Sequence, residues 1–326
     1  MKKKIFITGG AGYVGSMLVP FLIKKNFKVT VLDLFIYGQT LKKDKNLKLI
    51  KGDIRDHNLL KKNIPGHDAL IHLACISNDP SFELDPVLGK SINLESFQPL
   101  IEIAYNSKVK HFIYASSSSV YGIKSEKNVS EDLVLKPLTD YSLFKAKCED
   151  ILKEYSSKNF ITTILRPATV CGFSTRQRFD LVVNILVNQA YNKREIDVLG
   201  GEQLRPNINI LDMINAYHAV INSDYKKINN EIFNVGTENI SVKNIAYLVK
   251  RIIGKDIKIN FKNSFDNRSY HISSKKIKKV LGFKFKYTVE DAIFSLKKSF
   301  EKKIFINPLE NSNYFNIKKM NELKIK

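Results

Sequence analysis

Residues 4–15 read Lys4-Ile5-Phe6-Ile7-Thr8-Gly9-Gly10-Ala11-Gly12-Tyr13-Val14-Gly15. A short apolar run with β-branched residues ends on four glycines, and Val14, Leu18, Phe21 and Leu22 then share one helical face at offsets of 4, 7 and 8. The pattern predicts a buried strand, a tight turn and a helix. Glycine suits the turn because the backbone must fold sharply, approach a ligand closely and let helix and strand pack together. The helix start offers unpaired N–H groups and a positive dipole end, which favour an anion such as a pyrophosphate. Pro20 falls inside this helix, where it removes one backbone donor at a usual cost of about 3 kcal/mol.

Working outward, Asp33 closes the next apolar run, 18 residues past Gly15. A carboxylate there accepts hydrogen bonds from adenosine ribose hydroxyls and repels a 2′-phosphate, which favours NAD over NADP. Lys42 and Lys43 keep NADP open as the alternative. Strands are expected at Lys4–Thr8, Lys28–Leu32, Leu47–Lys51, Ala69–Leu73, His111–Ala115 and Ile161–Leu165, separated by helical patterns. This alternation predicts an α/β fold, a Rossmann-like doubly wound parallel sheet. Past Pro167 the regularity weakens, and two further runs stand at Asn207–Ile210 and Ile232–Val235. The expected division is a dinucleotide-binding part over residues 1–172, with strands returning to its sheet near 205–237. A smaller, mostly C-terminal substrate-binding lobe would take 173–204 and 238–326. Residues from Asn307 onward read as a loosely packed polar tail.

Composition narrows the class. The 326 residues are 44% hydrophobic, with a formal charge of +21 from 53 Lys and Arg against 32 Asp and Glu. The lysines are spread along the chain, and no zinc finger, RNP-like aromatic motif or localised basic helix accompanies them, so nucleic acid is not an expected partner. Glycines interrupt the apolar stretch after Lys2–Lys4, and no small-residue cleavage site follows, so it reads as folded structure and not as a signal peptide. No window is apolar enough for a membrane span. Cys75, Cys148 and Cys171 form no CxxC pair; no metal site is expected, and a reducing, cytoplasmic setting is.

Two further stretches carry chemistry. Asp140-Tyr141-Ser142-Leu143-Phe144-Lys145 reads as a helix start, with Asp140 as N-cap and Tyr141 and Lys145 on one face. A phenol is a weak base at neutral pH, but a neighbouring ammonium and a positively charged nicotinamide favour its phenolate. His111–Ala115 runs into Ser116-Ser117-Ser118-Ser119-Val120-Tyr121-Gly122, a serine loop at the carboxyl end of a strand, where ligands of open parallel sheets bind.

With the glycine turn, His72-Leu73-Ala74, Asn93, the serine loop, the Tyr141–Lys145 pair, Arg166-Pro167 and Lys284–Ala292 in order, the chain resembles the NAD-dependent epimerase/dehydratase family. These extended short-chain dehydrogenases/reductases include UDP-galactose 4-epimerase and the dTDP-glucose dehydratases. The resemblance implies NAD as cofactor and a nucleotide-diphosphate sugar as substrate. Tyr141 is implied as base, Lys145 as its electrostatic partner and ribose ligand, and Ser117 as the hydroxyl assisting proton transfer. Cofactor contacts are implied for Gly9, Gly12, Tyr13, Val14, Gly15, Asp33, Asp53, Ile54, Leu73, Ala74, Asn93 and Pro167, and for Tyr141 and Lys145 themselves. Ser118 and Ser119 are expected beside the sugar. Arg205 and Arg268 match positions that grip the diphosphate; Arg176 and Arg178 are weaker candidates for that role. A homodimer through Glu95–Asn106 and the Tyr141 helix is also implied.

The implied reaction removes the proton of a sugar hydroxyl, usually at C4, while the C4 hydride passes to NAD. Dehydratases of the family carry Asp-Glu before the Val-Tyr-Gly; Ser118 and Ser119 stand there and cannot supply that acid and base. The segment Cys171–Asn184 departs from UDP-galactose 4-epimerase and is closer to bacterial surface-polysaccharide homologues, GDP-heptose 4-dehydrogenases among them. Epimerisation through a 4-keto sugar is therefore the leading expectation, with simple 4-oxidation next. An NAD-sensing regulator without activity is disfavoured because Tyr141 and Lys145 are both present.

Overall fold

The computed structural model describes residues 2–263 and 269–323. Seven parallel strands form the central sheet: β1 Lys4–Thr8, β2 Lys28–Asp33, β3 Leu47–Lys51, β4 Ala69–His72, β5 His111–Ala115, β6 Ile161–Pro167 and, later in the chain, β10 Glu231–Val235. Their order is β10-β6-β5-β4-β1-β2-β3. The chain builds one way from β1 to β3 and then the other way from β4, so the direction reverses between β1 and β4. That switch point leaves a crevice at the carboxyl ends of the two strands. Ile5, Ile7, Val29, Val31, Ile71 and Ile113 pack on one face, and Phe6, Leu32, Leu70 and Phe112 on the other. Burial of both faces explains why these strands read as unbroken apolar runs.

The remaining strands build outside that sheet. β7 Thr169–Cys171, β9 Leu204–Asn209 and β11 Glu238–Ser241 form a three-stranded sheet, and β8 Glu195–Leu199 pairs with β12 Lys258–Lys262. Of the two runs expected to rejoin the central sheet, only Glu231–Val235 does so, beside β6. The run around Asn207 instead lies between β7 and β11. The helices Val182–Lys193, Val242–Ile253 and Val289–Glu301 share a separate core with Phe179, Ile196 and Val198.

Two local expectations are corrected. Thr139, not Asp140, caps the Asp140–Glu154 helix: it is extended and its hydroxyl accepts from Ser142 N–H, while the Ser142 hydroxyl accepts from Thr139 N–H. The tail is also ordered. Asn316–Leu323 is a helix whose Asn316 and Met320 are buried. Few apolar residues hold it, so its periodic signal is weak; hydrogen bonds of Asn316 hold it instead.

Pro20 is accommodated without ending the Gly15–Lys24 helix. Its ring faces solvent, and the carbonyl it leaves without a helical donor belongs to Ser16, four residues earlier. The Thr175 hydroxyl donates to that carbonyl at 3.4 Å.

Candidate active site

The glycine turn forms one wall of a cavity of about 560 Å³ at the switch point. Gly9 has φ +72°, and a Cβ there would stand 2.5 Å from the Ala74 backbone nitrogen. At Gly15 a Cβ would stand 2.5 Å from the Gly10 carbonyl oxygen. Both positions demand glycine, which brings β1, β4 and the helix start together beneath the cavity. Gly12, Tyr13 and Val14 line it as well. The Tyr13 hydroxyl is not directed at a ligand: it donates to the Gly172 carbonyl at 2.7 Å and accepts from Asn184 at 3.0 Å. It ties the turn to the second lobe.

Asp33 lines the cavity at the end of β2. Its oxygens accept from Ala11 N–H at 2.9 Å and Phe35 N–H at 2.8 Å. Burial pushes its carboxyl above the ordinary range against those N–H groups and nearby Arg176. Asp53, Ile54, Leu73, Ala74 and Pro167 also line the space. The Asp53 carboxylate is engaged by Arg55 at 2.7 Å. Asn93 does not line the cavity; its side-chain amide bonds both the N–H and the carbonyl of Ile76, fixing the segment after β4.

Tyr141, Lys145, Ser117, Ser118 and Ser119 meet on the same cavity. Lys145 is set one helical turn beyond Tyr141, and its Nζ donates to the Ala115 carbonyl at 2.7 Å. That Nζ lies 5.9 Å from the Tyr141 ring centre. Ser117 starts the turn after β5, and its hydroxyl lies 2.8 Å from that of Ser119. Burial raises the Tyr141 phenol, with Cys75 and Asp79 adding to the rise; Arg178 and the Ser117 hydroxyl act in the opposite direction. Arg178 is thus a second charge favouring the phenolate that spacing alone did not reveal.

Beneath this centre is a buried charge network. Glu149, one turn past Lys145, accepts from the Ser116 hydroxyl at 2.5 Å and pairs with Arg166 of β6 at 2.6 Å. The Arg166 guanidinium also donates to the Tyr121 hydroxyl at 2.7 Å and the Glu131 carbonyl at 3.2 Å. One helix face therefore carries Tyr141, Lys145 and Glu149, the last bolted to β5 and β6.

Of the basic residues expected at the substrate, Arg176, Arg178 and Arg205 line the cavity, and Arg268 lies outside the described residues. Arg178 forks onto Asp180 at 2.8 and 3.1 Å and donates to the Ser77 hydroxyl at 3.1 Å. Arg205 stands on β9 with its guanidinium 5.2 Å from the Tyr270 ring centre. The helix beginning at Asn316 completes the cavity wall: Asn316 donates through N–H to Asp180 and through Nδ2 to Ser77, both at 3.0 Å. Neither Asn316 nor Tyr37, which also lines the space, carries a signal in the sequence pattern.

A glycine cradle that admits no side chain, an acidic acceptor 18 residues beyond it and a Tyr–Lys pair on one cavity fit a dinucleotide with a redox centre beside it. Comparison with known proteins agrees. Residues 5–236 match the model of the NAD dependent epimerase/dehydratase family. The chain is 28% identical over 312 residues to the UDP-glucose 4-epimerase of Lactobacillus helveticus, covering 89% of this chain and 94% of that protein. It is 32% identical over 274 residues to the uncharacterized UDP-glucose epimerase YtcB of Bacillus subtilis strain 168, covering 79% and 84%. The solved UDP-glucuronic acid 4-epimerase of Bacillus cereus, in complex with UDP-glucuronic acid and NAD, has a TM-score of 0.84 at 28% identity, over 93% of this chain and 100% of that one. The chain belongs to the NAD-dependent epimerase/dehydratase family.

Proposed function

We propose that this enzyme is an NAD-dependent nucleotide-sugar 4-epimerase that works through a 4-keto sugar, in the synthesis of surface-polysaccharide sugars. The observation that carries the reading is the meeting of Tyr141, Lys145 and Ser117 on the cavity walled by the glycine turn. Bound NAD supplies the reversible hydride acceptor that this chemistry needs. In this reading the Tyr141 oxygen takes the proton of the sugar C4 hydroxyl, and the Ser117 hydroxyl orients that hydroxyl toward it. Lys145, pinned by the Ala115 carbonyl, and Arg178 hold positive charge near the phenolate. Arg205 is assigned to the substrate diphosphate, for which a guanidinium fork is well shaped. Ser118 and Ser119 lie beside the sugar and offer no acid–base pair for elimination, which argues against a 4,6-dehydratase.

A second reading, net 4-oxidation, draws on one observation. Asn316 and Met320 reach into the cavity in which a keto sugar must turn to be reduced on its other face, and oxidation needs no turning. Incubation with UDP-, GDP-, dTDP- and CDP-sugars, followed by mass spectrometry and NMR, decides between them. Inversion at C4 with unchanged mass is the expected result; loss of two hydrogens with accumulating enzyme-bound NADH would replace the first reading with the second.

The same proposal assigns residues 1–172 to the cofactor and 173–204 with 238–326 to the substrate. It also takes the protein as a cytoplasmic homodimer. The three cysteines are unpaired, and among the described residues no helix is long and apolar enough to cross a membrane. A groove between the Phe97–Asn106 and Asp140–Glu154 helices, edged by Gln98, Glu102, Lys147 and Glu154, is the surface on which the second copy would pack. A solution mass equal to one chain would remove the dimer.

A further inference from the structure

The segment 174–176 is fastened to the first turn of the glycine-turn helix. The Ser174 hydroxyl donates to the Tyr13 carbonyl at 2.7 Å, and Arg176 N–H donates to the Ser16 hydroxyl at 3.2 Å. With the Thr175 bond to the carbonyl that Pro20 leaves open, three successive residues of the second lobe grip the end of the glycine turn and the helix start that follows it.

The Arg176 side chain lines the cavity that Gly12 and Gly15 also line. Arg176 is only 3% exposed. Its guanidinium carbon lies 3.5 Å from the centre of the Tyr37 ring, and Nη2 donates to Asn316 Oδ1 at 2.5 Å. Its Nε is buried without a hydrogen-bond partner. No carboxylate among the described residues pairs with it, whereas Arg178 close by has Asp180. Burial pulls the group down to about 10, which leaves it charged at neutral pH. Asp180 and Asp33 act on it only from beyond contact distance. A buried cation with a spare donor and no carboxylate in contact is costly unless a ligand supplies the anion.

Tyr37 follows Asp33 by four residues, and the charge of Arg176 acts on Asp33. That places the guanidinium at the cofactor end of the cavity, next to a helix start that already favours phosphate. We propose that Arg176 is a cofactor-binding residue, its guanidinium supplying a second positive wall to the pyrophosphate of NAD while Asn316 and Tyr37 hold it there. NAD is then retained through successive turnovers. The proposal rests on NAD occupying the glycine-turn cavity, and the test separates the two.

The full-length enzyme is purified, its NAD counted after acid denaturation, and exchange of bound NAD for isotopically labelled NAD followed by mass spectrometry. In Arg176→Ala the exchange should be roughly 10- to 100-fold faster, the size expected for one charge-assisted contact. Arg176→Lys, which keeps the charge but loses the fork, should fall between that variant and the wild type. Asn316→Ala should accelerate exchange less than Arg176→Ala. Added salt should speed exchange in the wild type more than in Arg176→Ala. Should Arg176→Ala fail to fold, the lysine and Asn316 variants carry the same comparison. Exchange in the folded variants as slow as in the wild type overturns the proposal; so does unchanged exchange with weakened nucleotide-sugar binding, which would give Arg176 to the substrate. A wild type that neither contains nor takes up NAD overturns the cofactor assignment along with it.

Discussion

Two arginines, equally hidden from solvent, are treated in opposite ways on the two sides of the active cavity. Arg166, 2% exposed, meets both oxygens of Glu149 and spends further donors on Tyr121 and the Glu131 carbonyl. Arg176, 3% exposed, has a ring face, an amide oxygen and an idle Nε. Beneath Tyr141 the fold therefore balances its own charge and locks the geometry. Beside the glycine turn it leaves a charge for a ligand to balance. Rigidity and affinity are built from the same side chain, distinguished by whether a carboxylate is in direct contact with it.

The largest expected effect separates chemistry from retention. Tyr141→Phe should lower kcat by at least roughly 10²- to 10⁴-fold, the usual contribution of a positioned acid–base group, while the NAD content of the purified protein stays unchanged. Loss of NAD in that variant would show that the two sides are not separable. Next, Glu149→Gln strands Arg166 and should cost about 3–5 kcal/mol in urea denaturation. Arg176→Met, measured without NAD, should be neutral or stabilising because it removes a buried cation that no carboxylate contacts, at the loss of its bond to Asn316. Equal losses in the two variants would erase the distinction.

A third effect lies on the pH axis. His72 and His111 are fully buried in the central sheet, and burial, with minor help from Lys145 and Lys3 respectively, pushes each down to about 3. Below pH 6.5 the unfolded chain takes up protons that the folded chain refuses. Their contribution is complete above that pH and is lost progressively as the pH falls toward 3. Between pH 6.5 and 5 the loss should be roughly 2 kcal/mol for each histidine, read from denaturation midpoints at the two pH values. His111→Gln should flatten the slope. The smallest effect belongs to a surface pair: Arg251→Ala, which breaks a half-exposed contact with Glu290, should change stability by no more than about 0.5 kcal/mol.

Legibility in the sequence follows the same division. The central strands were readable because double-sided burial writes unbroken apolar runs, and the glycine turn because only glycine satisfies its contacts. Tyr141 and Lys145 were readable because helical spacing places them on one face. The second lobe was less so. β7, β8, β11 and β12 are short and partly exposed, and the Asn207 run alternates asparagine with isoleucine, a strand pattern that does not say which sheet it joins. Asn316 is one polar residue in a polar stretch; what makes it count is the meeting of Arg176, Asp180 and Ser77, a coincidence in space with no period along the chain.

The contact between Arg176 and Asn316 spans 140 residues. At ordinary synthesis speeds of about 5–20 residues per second, roughly 7–28 s separate the making of its two halves. A nascent chain can thus fold its glycine turn and meet NAD well before the residue that steadies Arg176 exists. Cofactor capture is open at first, and commitment to one molecule of NAD becomes a late event in the life of each polypeptide.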